Sequence, residues 1–319
     1  MRFLASIILA GSLLAGTAVA QTWPSGQVTI VVPQAPGNPS DLLARLVGSK
    51  LQDKWGQTVV VENKGGASGT IGTAQVARAA PDGNTFLFTF DVAITIAPNL
   101  IKLPYDSLTD LDLVAAFADT ELMLIATPQL GVKTLSELIA KAKASPGKLT
   151  YASGGIGTPA HLCMELVRQS TGTDILHSPY RGASGAFQAM LSGEVDMFCG
   201  PPGGAIPLVE SGKAVAIGTT GVKRAPQTAK VPTLQEAGIP DIEVTTKMLF
   251  MVPKGVPETI LKRIRADLRE VLDQADVRKS LATNSFNPIW LEGQSGMKDL
   301  AKDFAKWGVV IRAANIKAK

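Results

Sequence analysis

The chain has 319 residues, 45% hydrophobic, 5% aromatic and 18% charged, with 31 glycines and 20 prolines. Its formal charge of +4 comes without a run of Lys or Arg, which argues against nucleic acid as a partner. Two histidines and two cysteines leave no Cys/His cluster for a metal and no CxxC redox pair, and a chain this long is expected to divide into two lobes.

Met1-Arg2, an apolar run from Phe3 to Ala15 and the small residues Ala18-Val19-Ala20 read as a secretory signal peptide over residues 1–20. No later segment supplies about 18 consecutive apolar residues. The mature protein is expected to be soluble and exported.

A repeated unit follows: a short apolar strand, a Gly/Pro loop, then an amphipathic helix, the pattern of βα units on a largely parallel sheet. The first unit is a strand at Val28 to Pro33, a loop at Gln34 to Ser40, and a helix from Asp41 to Leu51 with Leu42, Leu43, Leu46 and Val47 on its apolar stripe. Thr85 to Thr89 leads into Phe90-Asp91. Leu149 to Ala152 leads into Ser153 to Thr158 and a helix through Leu162, Leu166 and Val167. Val195 to Phe198 leads into Cys199-Gly200-Pro201-Pro202-Gly203-Gly204. The C-terminal region reads as helices, one opened by Pro257-Glu258 and one near Met297 to Val310. Leu122 to Ala126 and Val244 to Val252 are apolar and lie between loop clusters, so they are the expected strands crossing from lobe to lobe. The fold class is α/β.

Two loops feed directly into helix N-termini, where unpaired N–H groups and the helix dipole favour an anion. In the second, Thr158 suits an N-cap, Pro159 suits the first helical position, and Gly154, Gly155 and Gly157 leave the backbone bare. Gly37, Asn38 and Ser40 play similar parts before Asp41. His161 reads either as an ordinary first-turn helix residue or as a ligand contact. Cys163 and Cys199 read either as two small buried side chains or as one disulfide.

Enzyme constellations fail. Gly182-Ala183-Ser184-Gly185 is followed by Ala186, so GxSxG is absent. Pro146-Gly147 breaks the SxxK spacing of Ser145 and Lys148, and the glycines from Gly65 to Gly72 fit neither a P-loop nor GxGxxG. No catalytic residue, metal or cofactor is expected.

Val31-Val32-Pro33-Gln34-Ala35-Pro36-Gly37-Asn38-Pro39-Ser40-Asp41-Leu42-Leu43-Ala44-Arg45 resembles the opening of the Bug-type extracytoplasmic solute receptors of tripartite tricarboxylate transporters. The resemblance continues through Val59-Val60-Val61-Glu62-Asn63, Ala79-Ala80-Pro81-Asp82-Gly83, Leu103-Pro104-Tyr105-Asp106, Pro146-Gly147-Lys148-Leu149-Thr150-Tyr151-Ala152-Ser153, Pro179-Tyr180-Arg181-Gly182 and Val231-Pro232-Thr233-Leu234-Gln235-Glu236-Ala237-Gly238. It covers essentially the whole mature chain in order.

The resemblance implies a two-domain periplasmic-binding (type II) fold whose loops grip a ligand carboxylate through backbone amides. The first loop falls on Gln34, Pro36, Gly37, Asn38, Ser40 and Asp41, the second on Ser153, Gly154, Gly155, Gly157 and Thr158. The family's cleft also receives the segments occupied here by Phe90-Asp91 and Cys199. Asn38 departs from a glycine pair, Cys199-Gly200 from an Asp-Asn pair, and Lys247-Met248 from aromatics. Lys247 reads either as a cleft ammonium for a second carboxylate or as a surface lysine, and Phe90 as a cleft wall or as core.

The expected lobes are residues 21–122 with 248–319, and residues 123–247. The implied partners are a small organic carboxylate, dicarboxylic or aromatic, and the membrane components of the transporter, with the receptor a monomer. A sensor subunit for a signalling partner and an exported hydrolase are the rival readings.

Overall fold

The computed structural model describes residues 23–317, so the signal-peptide reading lies outside the described residues. The chain builds two sheets. The first contains β1 (Val28–Val32), β2 (Val59–Asn63), β3 (Thr85–Phe90), β4 (Leu111–Glu121), β10 (Thr245–Pro253) and β11 (Asn287–Glu292), in spatial order β11-β4-β10-β3-β1-β2. The second contains β5 (Met123–Ala126), β6 (Thr150–Ser153), β7 (Leu176–Pro179), β8 (Met197–Gly200) and β9 (Val215–Thr219), in order β7-β6-β8-β5-β9. The strands preceding the two marked loops pair in parallel, β1 with β2 and β3, β6 with β7 and β8, as βα units require. Strand β10 enters antiparallel between β3 and β4.

Each sheet is buried on both faces, and the period-two alternation of the strands sorts their residues between two layers of helices. On one face of the first sheet Ile30, Val32, Phe86, Phe88 and Phe250 pack on Leu43 and Val47 of α1 (Pro39–Trp55) and on Ile264 and Leu268 of α8 (Glu258–Leu272). On the other, Val31, Leu87, Leu249 and Met251 meet Val76 of α2 (Thr70–Ala77) and Leu300 of α10 (Gly293–Ala313). Each such fully buried side chain contributes roughly 1.5–3 kcal/mol. The expected stripe on α1 is narrower than its sequence suggests: Leu43 and Val47 are buried, whereas Leu42 remains 59% exposed because it lies on the helix's outer side.

In the second sheet, Leu124, Tyr151, Met197 and Cys199 pack on Leu138 of α4 (Leu135–Ala144) and on Leu162 and Val167 of α5 (Pro159–Thr171). Met123, Ile125, Ala152 and Phe198 cover the opposite face with α6 (Gly182–Leu191) and α7 (Pro202–Glu210). Cys163 and Cys199 form a disulfide, which ties α5 to β8. Of the two open readings the disulfide is the one found, and both cysteines are also fully buried.

The chain passes from the first sheet to the second across Leu122 alone and returns through Val244 into β10. Thr220 holds the two crossings together. Its N–H donates to Leu122 O at 2.9 Å, its hydroxyl accepts from Leu122 N–H at 2.8 Å, and the same hydroxyl donates to Val244 O at 2.5 Å. The end of α10 adds a third link: Trp307, Val310 and Ile311 lie in the core of the second sheet.

Candidate functional site

A cavity of about 590 Å³ opens between the two sheets at the C-terminal ends of β3, β6 and β8. That is where helices following parallel strands present their N-termini, and where α/β proteins place ligands. Gln34, Asn38, Pro39, Phe90 and Val92 line it from the first sheet's side, with Phe286, Thr283 and Asn284; Gly154, Thr158, Gly182, Ala183, Phe198, Cys199 and Gly203 line it from the second's. Thr120, Leu122 and Thr246, beside the crossings, also border it.

The starts of α5, α6 and α7 converge on this space, through Thr158-Pro159-Ala160, Gly182-Ala183 and Pro201 with Gly203-Gly204. No side chain caps any of the three. Proline at the first or second position of α5 and α7 removes one donor from each and leaves the next amides facing outward. Three helix dipoles thus point their positive ends into a cavity lined, among the described residues, by no charged side chain.

The helix start at α1 is different. Asn38 is its N-cap, and Asn38 Oδ1 accepts from the N–H groups of Ser40 at 2.9 Å and Asp41 at 3.2 Å and from Ser40 Oγ at 2.6 Å. The N–H of Gly37 donates to Asp41 Oδ2 at 2.8 Å. The amides of Gly37, Ser40 and Asp41 are therefore already bonded within the loop. Asp41, buried and pushed up by desolvation, is nevertheless held below its usual range by the Gly37 N–H, Asn63 and Arg45. From this loop Gln34, Asn38 and Pro39 face the cavity, and Gln34 Oε1 lies 3.1 Å from Ser40 Oγ, sharing with Asn38 Oδ1 the single hydroxyl hydrogen. Pro36, Gly37, Ser40 and Asp41 do not line it.

The second loop divides in the same way. Gly154 and Thr158 face the cavity, whereas Ser153, Gly155, Gly157 and His161 form the layer beneath. Ser153 Oγ bonds His177 Nε2 at 2.6 Å and accepts from Gly155 N–H at 3.1 Å; His161 Nδ1 accepts from Gly157 N–H at 3.0 Å. Thr158 has N-cap backbone angles, yet its hydroxyl donates backward to Gly155 O at 2.8 Å instead of accepting from the helix. It orders the loop and leaves the helix end open.

Phe90 and Cys199 line the cavity, and Phe90 stacks on Phe286 at a centroid separation of 5.9 Å. Asp91 and Lys247 do not. Strand alternation turns Lys247 away from Thr246 toward α10, where its Nζ meets Asp299 at 2.8 Å and Asp303 at 2.5 Å. Burial opposes the charge, but Asp303 and Asp299 more than offset it, so the lysine's pKa is raised. Asp91 is buried behind the same strand, and desolvation pushes its carboxyl up to about 7 against the pull of Lys247.

The resemblance places the loop after Phe198 in the cleft, and Pro201, Gly203 and Gly204 of that loop line the cavity, whereas Ala183, Phe286 and the threonines at the crossings carry no sequence expectation. For α6 a signal existed. Tyr180-Arg181-Gly182 after a short strand is the same strand-loop-helix arrangement as at Ser153, and it is also one of the motifs that carry the family resemblance. Among the described residues no group of three or more His, Cys, Asp or Glu is placed to hold a metal ion.

Residues 43–316 match the family model described as tripartite tricarboxylate transporter family receptor. The chain is 31% identical over 315 residues to Protein BugT of Bordetella pertussis, covering 98% of this chain and 97% of that protein. Among solved structures, it resembles R. palustris Rpa4515 with adipate at a TM-score of 0.80 and 29% identity, over 92% of this chain and 99% of that one. Periplasmic binding protein BugD matches at a TM-score of 0.77 and 30% identity, over 93% and 100% of the two chains. The two sheets and the cleft between them are therefore the two-domain periplasmic-binding architecture, and family members are solute-binding receptors and not enzymes. By its family match, its relatives and its fold, the chain belongs to the receptors of the tripartite tricarboxylate transporter family.

Proposed function

We propose that this receptor works in the periplasm, closes its two lobes on a small organic carboxylate, and delivers it to the membrane components of a tripartite tricarboxylate transporter. The lobes are taken as residues 21–122 with 248–319 and residues 123–247. The observation that carries this reading is the meeting of three uncapped helix N-termini, those of α5, α6 and α7, in one inter-sheet cavity free of charged side chains. Backbone amides there would bind an anion without a counter-charge, and a water-poor cleft strengthens that attraction. The adipate bound by Rpa4515 supports a carboxylate as the ligand class. A cavity bordered by residues of both sheets, by the crossing Leu122 and by Thr246 just past the second crossing, also supports closure as the response to ligand.

A thermal-shift screen against mono-, di- and tricarboxylates tests the proposal, because a ligand that binds only the native state raises stability by RT ln(1 + [L]/Kd). At one hundred times Kd the gain is about 2.7 kcal/mol. Silence from every acid, with neutral amides or sugars active instead, would overturn it. Loss of acid uptake in a strain lacking the receptor, restored by the intact gene, separates delivery to a transporter from sensing for a signalling partner.

A further inference from the structure

The two sides of the cavity are built for different ends of a ligand. The uncapped starts of the three longer helices, α5, α6 and α7, belong to the second sheet's side, and the first sheet's side offers only the uncapped single turn Val92–Thr95. Opposite them, α1 presents a start whose Ser40 and Asp41 amides are taken by Asn38. Beside it Thr283 and Asn284 bring the C-terminal end of α9 (Ala275–Thr283) to the cavity wall. A helix C-terminus carries the negative end of its dipole, which repels an anion. The rest of that wall carries Gln34, Asn38, Pro39 and Val92 around the stacked pair Phe90 and Phe286, and Phe198 faces from the other side, held edge-on by Phe187 at 4.9 Å. Lys247, the one cation that strand β10 brings near, is turned away and bound by Asp299 and Asp303.

From this asymmetry we infer that the ligand is an acid with a single carboxylate and an apolar, ring-sized body, not a di- or tricarboxylate. The inference rests on the receptor reading and sharpens it. One carboxylate sits among the amides of α5, α6 and α7. A second, at the far end of the molecule, would exchange its water for phenylalanine rings and the negative end of α9, with only the Gln34 carboxamide and the Thr246 hydroxyl to donate and no cation to answer it, and a buried carboxylate so poorly paired is costly. An aromatic or alicyclic body loses water there favourably and stacks on Phe90 and Phe286.

Calorimetric titration of the full mature protein with two matched pairs, benzoate against terephthalate and hexanoate against adipate, decides the point. In the pair that binds more tightly, the monoacid should bind at least tenfold tighter than its diacid. A diacid equal to or tighter than its monoacid in that pair overturns this inference and leaves the receptor reading standing. Absence of heat from all four acids, together with a silent thermal-shift screen, overturns both. Phe286→Ala adds a second readout: benzoate should weaken at least fivefold, and an unchanged benzoate affinity removes the aromatic wall from the argument.

Discussion

The imidazole rings of His161 and His177 stack with their centroids 3.9 Å apart and their planes 14° apart, under the loop that joins β6 to α5. Each holds that loop by one bond, His161 Nδ1 to Gly157 N–H and His177 Nε2 to Ser153 Oγ. Because His161 Nδ1 is an acceptor, the ring's proton sits on Nε2, 3.8 Å from Glu165. Burial, then the neighbouring ring, then Arg168 push His177 down to about 4; burial also lowers His161, against the pull of Glu165.

Acid should therefore destabilise the protein through this pair. A histidine whose folded pKa lies below its unfolded value of 6.5 binds fewer protons when folded, so the pair's contribution is constant above about pH 6.5 and is lost as pH falls toward 4. The slope per group cannot exceed about 1.4 kcal/mol per pH unit. Asp91 acts in the opposite sense: its carboxyl, raised from 3.8 to about 7, costs stability as pH rises through that window. The difference between urea midpoints of the parent and His177→Gln, measured from pH 8 to pH 4.5, cancels that background. The parent should lose stability faster below pH 6.5; parallel profiles would falsify the account of a neutral pair.

The bond between Cys163 and Cys199 closes a loop of sequence separation 36 and joins a helix to a strand whose end lines the cavity. Unreduced, denatured protein should show no titratable thiol from this pair. The double substitution Cys163→Ala with Cys199→Ala should cost about 3–4 kcal/mol in urea unfolding, mainly by releasing the unfolded chain. A loss below 1 kcal/mol would mean that the surrounding core already fixes α5 on β8.

Lys247 should matter for stability and not for ligand choice. Its side chain is 11% exposed and answers two carboxylates, with Asp91 buried close by. Lys247→Met removes the cation and leaves acidic groups without compensation, a change that costs about 3–5 kcal/mol for buried pairs. The benzoate to terephthalate ratio should stay within twofold of the parent's. Calorimetry showing a tenfold change in that ratio, or urea unfolding showing no loss, would contradict this placement.

Both marked loops were legible because their signals are local. Gly, Pro and a capping residue between a strand and an amphipathic helix specify a turn and an exposed helix end within ten residues. What the sequence could not show was which amides stay free. Asn38 and Thr158 stand at equivalent positions and both suit a cap, yet Asn38 folds its carboxamide over its own helix start while Thr158 bonds backward. Lys247 shows the limit for strands. Alternation fixes that it lies opposite Thr246, but which face meets the cavity depends on β10 pairing between β3 and β4 and on α10 covering the other side. Phe286 had no local signal at all, because only the return of the chain after α9 carries it to Phe90.

Adjacent glycines in the second loop should fail in opposite ways. A Cβ on Gly154 would lie 3.2 Å from the Ala183 nitrogen and 3.2 Å from the Gly182 carbonyl carbon, on the open end of α6. Gly154 does not have a positive φ, so Gly154→Ala meets no dihedral penalty, and its stability cost comes from the tight contact with the backbone at the start of α6, about 1 kcal/mol. The methyl would, however, cover an amide that the carboxylate needs. Affinity for benzoate should fall at least tenfold, about 1.4 kcal/mol. Gly155 has φ +134° and does not line the cavity, and a Cβ there would find only Tyr180 O at 3.7 Å and Thr158 Cγ2 at 3.8 Å, ordinary contacts. Gly155→Ala should therefore cost about 1–3 kcal/mol of stability through backbone strain, with a smaller effect on affinity once the protein is folded. Thermal melts and calorimetry on both variants check the pair, and a Gly154→Ala protein that binds benzoate like the parent would take the start of α6 out of the carboxylate site.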